Sequence, residues 1–404
     1  MEVFFQILFW VSLFLLVYIY IGYGLLVYIL VQRKPGFVPG KLTDAELPSV
    51  TVLIPAFNEA AVIGGKIRNS LSLRYPREKF RVLVITDGST DGTEQIVRAF
   101  PQVDLLHEAE RLGKSAAINR AMQDITSDLV VLTDANTVLN EEALLQLVQP
   151  FDNPAVGAVS GEKLVVSSVS EELSSEGEGL YWKYESFLKQ NDARLNSIVG
   201  AAGELLALRT NLFTPLEPDT VLDDFVLSMR ICEAGYRVAY QPDARAVETG
   251  SFNLEEEQKR KVRIAAGGFQ ALGRLSKSWQ YRNNPLLFFQ FFSHRVLRWV
   301  AAAPALIILA ISTVYLVVKG AGGIYELAGL VQLLFYGLAV IGWLGARTNT
   351  KWPIVYIPYY FVFMHWAILA GLIKYLTGGT DAKWEKANRI RVPVNQDPED
   401  ASGE

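Results

Sequence analysis

Carboxylate side chains follow three apolar runs in the middle of the chain. Glu59 comes shortly after the run 50–55, Asp87 directly follows the run 81–86, and Asp134 directly follows the run 128–133. If these runs are neighbouring strands, the three carboxylates meet at one edge of a sheet and repel one another. Proteins keep such a cluster when a bound cation or a cationic transition state offsets the repulsion. The spacing therefore predicts a site with cationic chemistry at this edge.

The segments around these carboxylates alternate between two patterns. Apolar runs beginning at Val50, Arg81, Val103 and Asp128 predict strands, and the stretches 58–73, 113–125 and one from about Thr93 predict helices. Asn58 stands where a residue that caps the first helix is expected. This alternation indicates an α/β fold with a mostly parallel sheet and helices on both faces. Ligands of such sheets bind at the carboxyl ends of the strands.

The composition limits the kind of metal site that this chain can build. The 404 residues include one cysteine, Cys232, and three histidines that lie far apart, His107, His294 and His365. A disulfide framework and a cysteine-based zinc site are excluded, and a histidine-built site is not expected. The net charge of −4 shows no basic excess, so a nucleic-acid partner is not expected. Any metal should be held by carboxylates.

The N-terminus predicts a membrane anchor within residues 1–34. Residues 3–31 contain no charged side chain, and a helix needs about 20 residues to cross the hydrocarbon core. A cleaved signal peptide is the competing interpretation, but the apolar run is too long and no basic region precedes it. Arg33 and Lys34 follow the run, which places the next domain in the cytoplasm.

Apolar segments return after the central region. Segments 296–318, 324–345 and 353–376 predict transmembrane helices within 296–378, and the shorter aromatic run within 283–295 predicts an amphipathic interface helix. A buried core helix is the alternative for that run. The direction of the last segment stays open, because three crossings would place the polar tail 379–404 outside, whereas its basic residues favour the inside.

The chain resembles the membrane-integrated branch of the family 2 inverting glycosyltransferases. This branch includes the synthases of cellulose, hyaluronan, chitin oligosaccharide and poly-N-acetylglucosamine, and ceramide glucosyltransferase. The motifs that carry the resemblance occur in order between Pro48 and about Gly268: Pro55-Ala-Phe-Asn-Glu59, Asp87-Gly-Ser-Thr-Asp91-Gly92, Arg111–Asn119, Asp134-Ala-Asn136, Val199–Glu204, Asp223-Asp224-Phe225 and Arg260–Ile264. The resemblance implies a GT-A type, Rossmann-like nucleotide-sugar domain at 48–280, inserted between transmembrane helices.

The resemblance also implies which residues bind the donor. Pro55, Phe57 and Glu59 would lie beside uridine, and Asp87 would contact the base or the ribose. Lys114 and Arg263 would bind the diphosphate, whose negative charge a cation neutralises. A solvated lysine at the start of a helix is the alternative for Lys114.

The Asp134-Ala-Asn136 segment is similar to the D-x-D metal motif of the family. Carboxylate oxygens suit Mg²⁺ or Mn²⁺, which also bind donor phosphates. Asn136 replaces an aspartate of the motif and has only a neutral amide oxygen, so weaker metal binding or contact through water is expected there.

Two motifs imply the acceptor side. Gly200, Gly203 and Glu204 match the acceptor loop, where small residues let a sugar approach the backbone, and a tight turn without a ligand is the alternative. Asp224 stands at the position of the catalytic base, which takes the proton of the acceptor hydroxyl in a single inverting displacement. Asp223, in place of the family's glutamate, would orient the base. An acidic helix N-terminus that interacts with the helix dipole is the structural alternative.

The last motif departs from the family pattern Q-x-x-R-W. Arg260 replaces the glutamine and Ile264 replaces the tryptophan that supports the acceptor sugar in polymerising members. Because sugars stack poorly on isoleucine, this departure puts processive polymerisation in doubt. The basic residues from Lys259 to Arg263 also suit a helix that faces the membrane surface.

The expected function is a metal-dependent, inverting hexosyl transfer from a UDP-sugar to a growing poly- or oligosaccharide. One alternative is the transfer of a single sugar to a membrane lipid, and another is a catalytically degenerate scaffold or transport subunit. The expected partners are the UDP-sugar, a glycan or lipid acceptor and membrane lipids. The expected location is a bacterial inner (plasma) membrane, with the catalytic domain in the cytoplasm.

Overall fold

The computed structural model of the chain describes residues 1–34, 42–166, 172–249, 254–275, 284–347 and 353–379. The helices are α1 (Glu2–Val17), α2 (Tyr23–Val31), α3 (Ile63–Ser72), α4 (Thr93–Arg98), α5 (Lys114–Ala121), α6 (Ala143–Val148), α7 (Glu172–Leu195), α8 (Asp223–Glu233), α9 (Leu254–Arg274), α10 (Pro285–Phe291), α11 (Ala302–Val318), α12 (Gly323–Arg347) and α13 (Pro353–Leu376). The strands are β1 (Val50–Ala56), β2 (Phe80–Asp87), β3 (Asp104–Glu108), β4 (Leu129–Leu132), β5 (Val138–Leu139), β6 (Val156–Val166), β7 (Leu206–Arg209) and β8 (Arg237–Thr249).

The strands form one eight-stranded sheet in the order β3-β2-β1-β4-β7-β6-β8-β5. The first four are parallel to one another, as the sequence predicts. The second half is mixed, because β7 runs antiparallel to both β4 and β6, whereas β8 runs parallel to β6. The chain leaves β1 toward β2 on one side and later returns to β4 on the other. This reversal makes the crevice beyond the ends of β1, β2 and β4 the expected binding edge of an α/β sheet.

Apolar side chains fill both faces of the sheet. Val52 and Ile54 of β1 pack on one face with Ile67 of α3, and Leu53 packs on the other face with Ile118 of α5. Successive side chains of a strand point to opposite faces, so a strand covered on both sides reads as a continuous apolar run. The central strands are therefore buried and rigid, and their ends hold the site.

The prediction that Asn58 caps the first central helix is wrong. That helix begins at Ile63, and Asn58 instead adopts a left-handed backbone conformation with φ 54°. Asparagine tolerates this conformation better than most residues. Its side-chain Oδ1 accepts a hydrogen bond from the backbone N–H of Thr90 at 2.8 Å. Asn58 thus links the ends of β1 and β2 rather than starting a helix.

Within the described ranges, four helices are long and apolar enough to cross a membrane: Glu2–Val31, Pro285–Val318, Gly323–Arg347 and Ile354–Leu376. The second joins α10 to α11 through a π-helical segment, Phe292–Ala301, so the run predicted as an interface helix continues without a break into the next predicted span. Residues 276–283 and 380–404 lie outside the described residues. They include the end of the predicted catalytic domain, the start of the predicted interface helix and nearly all of the predicted tail.

Candidate active site

An ammonium group and several carboxylates meet at the carboxyl edge of the sheet. Lys114 is the first residue of α5, and its Nζ lies 2.9 Å from Oδ1 of Asp134 and 3.3 Å from Oδ2 of Asp223. Asp134 comes two residues after β4 ends, and Asp223 is the first residue of α8. One strand end and two helix starts therefore bring together residues that the sequence places far apart.

The carboxylates around Lys114 determine its protonation state. Burial by itself acts to lower the pKa of the amine, but the charges of Asp134, Asp223 and Asp224 outweigh it and raise the pKa above its ordinary value. Lys114 is therefore an ammonium at neutral pH. As a cation at a helix start beside acidic groups, it can exchange its carboxylate partners for the phosphates of a ligand.

Asp224 has the protonation behaviour of a general base. Burial, followed by the neighbouring charge of Asp223, raises the pKa of Asp224 to about 7, although Lys114 opposes the shift. Its Oδ1 accepts a hydrogen bond from the backbone N–H of Phe225 at 2.7 Å. A carboxylate with a pKa near the working pH accepts a proton more readily than an ordinary aspartate does.

Asp87 holds the loop that leads to Lys114. Its Oδ2 accepts hydrogen bonds from the backbone N–H groups of Gly113 at 2.7 Å and Leu112 at 3.1 Å, and its Oδ1 accepts one from Arg120 at 2.9 Å. The side chain is buried. These hydrogen bonds join the end of β2 to the start of α5 and fix the two elements relative to each other.

The remaining predicted donor residues lie along the same edge. Pro55 is buried in β1 opposite Ile85 of β2. The guanidinium of Arg111 stacks over the ring of Phe57 at 4.0 Å from its centroid. The backbone N–H of Glu59 donates to Oγ1 of Thr93 at 2.9 Å. The segment after β1 therefore packs against the loops that follow β2 and β3.

Arg263 lies on α9, a helix that passes beside the start of α8. A Cβ atom added at Gly267 would lie 2.8 Å from Val221 and 2.9 Å from Leu222, so α9 passes against the residues just before Asp223. Arg263 is one helical turn before Gly267 and lies on the same side of the helix. Its side chain and that of Ile264 are both half-buried.

Asp134 and Asn136 fit a divalent cation that takes further ligands from a substrate. The atom of Asn136 that can bind a cation is its Oδ1, whereas its Nδ2, which is buried and makes no hydrogen bond within the described residues, can donate to a substrate oxygen such as that of a phosphate. Those residues contain no group of three or more acidic, histidine or cysteine side chains arranged around one metal position. Mg²⁺ commonly binds through one or two side chains plus the phosphates of its substrate, and Lys114 already shows that a cation is accommodated beside Asp134.

The sequence interpretation missed Lys66, which lies beneath the Asp134 segment. This lysine of α3 is buried, and its Nζ donates to Oγ1 of Thr133 at 2.8 Å, to Oγ1 of Thr137 at 3.0 Å and to the carbonyl of Thr137 at 3.1 Å. Burial lowers the pKa of Lys66 to about 7. A signal was available, because Lys66 lies on the apolar face of α3 between Ile63 and Ile67.

The loop 199–204 runs close to Asp224. Gly200 has φ +96°, and a Cβ atom there would lie 2.4 Å from the ring of Phe225. A Cβ atom at Gly203 would lie 3.0 Å from Oδ2 of Asp224. Gly200 therefore needs to be glycine, and a side chain at Gly203 would press against the carboxylate of Asp224. The space beside both glycines is taken by Phe225 and Asp224, and the approach of a sugar to this backbone stays a prediction.

Glu204 forms a buried ion pair that the sequence did not indicate. Its carboxylate pairs with Lys163, whose Nζ also lies 2.5 Å from Oε1 of Glu248. The backbone carbonyl of Glu204 accepts a hydrogen bond from Oγ1 of Thr133 at 2.9 Å. The loop 199–204 and the Asp134 segment are thus joined through Thr133.

The fold and this cluster define a nucleotide-sugar transferase domain of the GT-A type placed between apolar helices. Residues 48–267 match the glycosyltransferase-like family 2, and the chain belongs to this family. The recognition of family 2 and the predicted fold class are therefore confirmed.

Individual members give the comparison more detail. The poly-β-1,6-N-acetyl-D-glucosamine synthase of Staphylococcus aureus is 25% identical over 314 residues, covering 74% of this chain and 73% of its own length. The synthase of the same name from Staphylococcus epidermidis is 25% identical over 266 residues, covering 62% of each chain. The mannosyltransferase PcManGT from Pyrobaculum calidifontis, solved in complex with GDP-Man and Mn²⁺, is 26% identical with a TM-score of 0.67, covering 91% of this chain and 99% of its own.

Proposed function

We propose that this protein transfers a sugar from a nucleoside-diphosphate sugar to an acceptor hydroxyl, with inversion and with Asp224 as the general base. The observation that carries the proposal is the position of Lys114, whose ammonium lies between Asp134 and Asp223 next to the half-buried Asp224. One crevice thus holds a cation for a diphosphate, acidic ligands for a metal and a carboxylate that can accept a proton.

The donor side stabilises negative charge on the leaving group. Lys114 exchanges its contact with Asp134 for the diphosphate, and Arg263 approaches from α9. Preorganised cations aimed at developing charge are among the largest contributions to catalysis. Asp134 and Asn136 would hold a divalent cation, which supplies further positive charge to the diphosphate when bound.

The acceptor side supplies the base. The acceptor oxygen forms a bond to the anomeric carbon while the bond from that carbon to the diphosphate oxygen breaks, and the hydroxyl proton passes to Asp224. The nucleoside diphosphate leaves with the bonding electron pair. The pKa of Asp224 near 7 leaves a substantial fraction of this carboxylate ready to accept the proton at neutral pH.

The donor is proposed to be a UDP-sugar, in line with the resemblance to polysaccharide synthases. The similarity to PcManGT, which was solved with GDP-Man, favours a GDP-sugar as the second candidate. Mn²⁺ in that complex supports the proposed use of a divalent cation, either Mn²⁺ or Mg²⁺.

The acceptor is proposed to be a growing poly- or oligosaccharide at the cytoplasmic face of a bacterial plasma membrane. The similarity to poly-β-1,6-N-acetyl-D-glucosamine synthases supports this choice. Ile264, in place of an aromatic residue, supports the alternative of one sugar added to a membrane lipid. A degenerate scaffold or transport subunit is disfavoured, because Asp87, Asp134 and Asp224 are all present at the carboxyl edge of one sheet.

The test uses the full chain purified in detergent with Mn²⁺, a membrane-lipid extract and a panel of radiolabelled UDP- and GDP-sugars. Nucleoside diphosphate release and product size are measured together, with Asp224→Asn as the control. Release from one donor that the substitution abolishes would support the proposal and identify the donor. Long products would favour a polymer, and a lipid carrying one sugar would favour single transfer. Equal background in wild type and variant with every donor would refute the proposal.

A further inference from the structure

Arg295 connects an apolar helix to the acceptor loop. It lies in the π-helical segment Phe292–Ala301, within the helix Pro285–Val318 that is long enough to cross a membrane. Its Nε donates a hydrogen bond of 2.7 Å to the backbone carbonyl of Val199, the first residue of the loop 199–204.

The loop held by Arg295 has little room to move relative to the catalytic base. The next residue, Gly200, is so close to the ring of Phe225 that a single added methyl group would overlap it, and a methyl group at Gly203 would lie 3.0 Å from Oδ2 of Asp224. Nε of Arg295 would itself lie 3.6 Å from a Cβ atom at Gly200. A shift of the Val199 carbonyl therefore changes the space in front of Asp224.

The guanidinium of Arg295 also takes part in a buried network of charged side chains. Its Nη1 lies 3.7 Å from Oε2 of Glu185 on α7, and Glu185 also pairs with Arg298 one turn further along the same segment. Glu185 is buried, and Arg298 and Arg295 keep the pKa of its carboxyl low in spite of that burial. Removing one member of a buried charge network is costly, so the arginine is held in place.

A second buried acid ties the same segment to the N-terminal helix. Asp192 of α7 contacts Nδ1 of His294 at 2.7 Å and accepts a hydrogen bond of 2.5 Å from the hydroxyl of Tyr23 in α2. Two apolar helices and α7 thus form one rigid support behind the acceptor loop.

We propose that Arg295 is a positioning residue that sets the acceptor loop against Asp224, so that the apolar helices determine how the acceptor hydroxyl is presented. This inference rests on the proposed transferase function. Because Arg295 contacts neither the Lys114 cluster nor the Asp134 segment, its effect falls on the acceptor and not on the donor. Misplacing a reactant by a small distance is enough to slow a displacement reaction strongly.

Two substitutions of matched length separate the hydrogen bond from the charge. In Arg295→Gln, the amide Nε2 stands the same number of bonds from Cα as Nε of arginine and can still donate to Val199. In Arg295→Met, a methyl group takes that position. Both variants lose the positive charge beside Glu185, so a difference between them reports on the donated hydrogen bond.

The expected result is a separation of acceptor from donor parameters. In Arg295→Met, the acceptor KM rises about tenfold and a larger share of the donor is hydrolysed without transfer, as expected for a lost hydrogen bond to a charged group. The donor KM and the binding of nucleoside diphosphate with Mn²⁺ stay unchanged. Arg295→Gln stays close to wild type in all of these. Amide hydrogen exchange at Ala201–Glu204 speeds up in the methionine variant only.

Equal behaviour of the glutamine and methionine variants, or a methionine variant indistinguishable from wild type, would overturn the inference. If Arg295→Met does not fold, Arg295→Lys replaces it, since lysine keeps the charge but has a methylene group at the Nε position. The lysine variant must then show the same loss on the acceptor side, and wild-type behaviour would contradict the inference. If wild type transfers no sugar, the proposed function fails, whereas hydrogen exchange still tests the contact between Arg295 and the loop.

Discussion

The ammonium of Lys114 lies 2.9 Å from Oδ1 of Asp134, the carboxylate that would hold a divalent cation. Asp134 can therefore contact either the chain's own ammonium or a metal ion at this oxygen. The contact offsets part of the negative charge of the crevice before a donor binds. Arrival of a diphosphate gives Lys114 a new anionic partner and releases the oxygen.

Replacement of Lys114 is expected to separate metal binding from catalysis. In Lys114→Met, a competing cation is removed from the carboxylates, so Mn²⁺ alone binds several-fold more tightly at pH 8. Turnover falls by about two orders of magnitude, because the leaving diphosphate loses a fixed cation. Electron paramagnetic resonance of free Mn²⁺ measures the first effect and nucleoside diphosphate release measures the second. Weaker Mn²⁺ binding in the variant would contradict the competition between Lys114 and the metal.

The raised pKa of Asp224 predicts a pH dependence of transfer. Burial and Asp223 raise the pKa of Asp224 from its ordinary value to about 7, and only the deprotonated form accepts a proton. The value of kcat/KM should therefore rise with pH. Its midpoint should lie no higher than about 7, because a bound cation shifts the pKa of Asp224 downward. Activity is lost as the pH falls through this midpoint.

Asp223→Asn provides the matched comparison for that profile. The substitution removes the neighbouring negative charge that helps to raise the pKa of Asp224, so the rising limb should move to lower pH. A rising limb that stays in place or moves to higher pH would show that another group controls the profile.

Lys66 is expected to hold the segment around Asp134 in place through its hydrogen bonds to Thr133 and Thr137. In Lys66→Met, Thr133 and Thr137 lose the hydrogen bonds that hold the loop around Asp134, so Mn²⁺ binding should weaken about tenfold and the melting temperature should fall. Lys79→Met is the control, because Lys79 donates to three backbone carbonyls, those of Asp44, Ala45 and Leu47, away from the site. The control should lose stability alone. Equal Mn²⁺ binding in the two variants would refute the role of Lys66.

A methyl group at Gly203 is expected to impair the base directly. In Gly203→Ala, the new Cβ lies 3.0 Å from Oδ2 of Asp224, which is tighter than ordinary contact, so turnover should fall by about tenfold or more. Gly337→Ala is the control, because a Cβ atom there meets no atom within 4 Å. Turnover and donor binding are measured together, so that a damaged base is distinguished from weaker donor binding. An active Gly203 variant with normal kinetics would show that the loop can move away from Asp224.

The sequence by itself determined the elements whose signals are local. Short apolar runs at Val50, Arg81 and Asp128 predict buried strands, and long apolar runs predict membrane-length helices. Each of these patterns depends only on residues that are close together in the sequence. The ordered motifs from Pro55 to Arg263 carried the family for the same reason. The parallel half of the sheet followed from strands alternating with helices.

The tertiary structure decided the contacts that join distant parts of the chain. The hydrogen bond from Arg295 to Val199 spans 96 residues, and that from Lys66 to Thr137 spans 71. No local pattern encodes such pairs, since they exist only after the sheet and helices have packed. The antiparallel half of the sheet and the backbone turn at Asn58 were decided in the same way, because pairing and burial there override local preference. The elements are thus local properties of the sequence, and the arrangement of charge around Asp224 is a property of the fold.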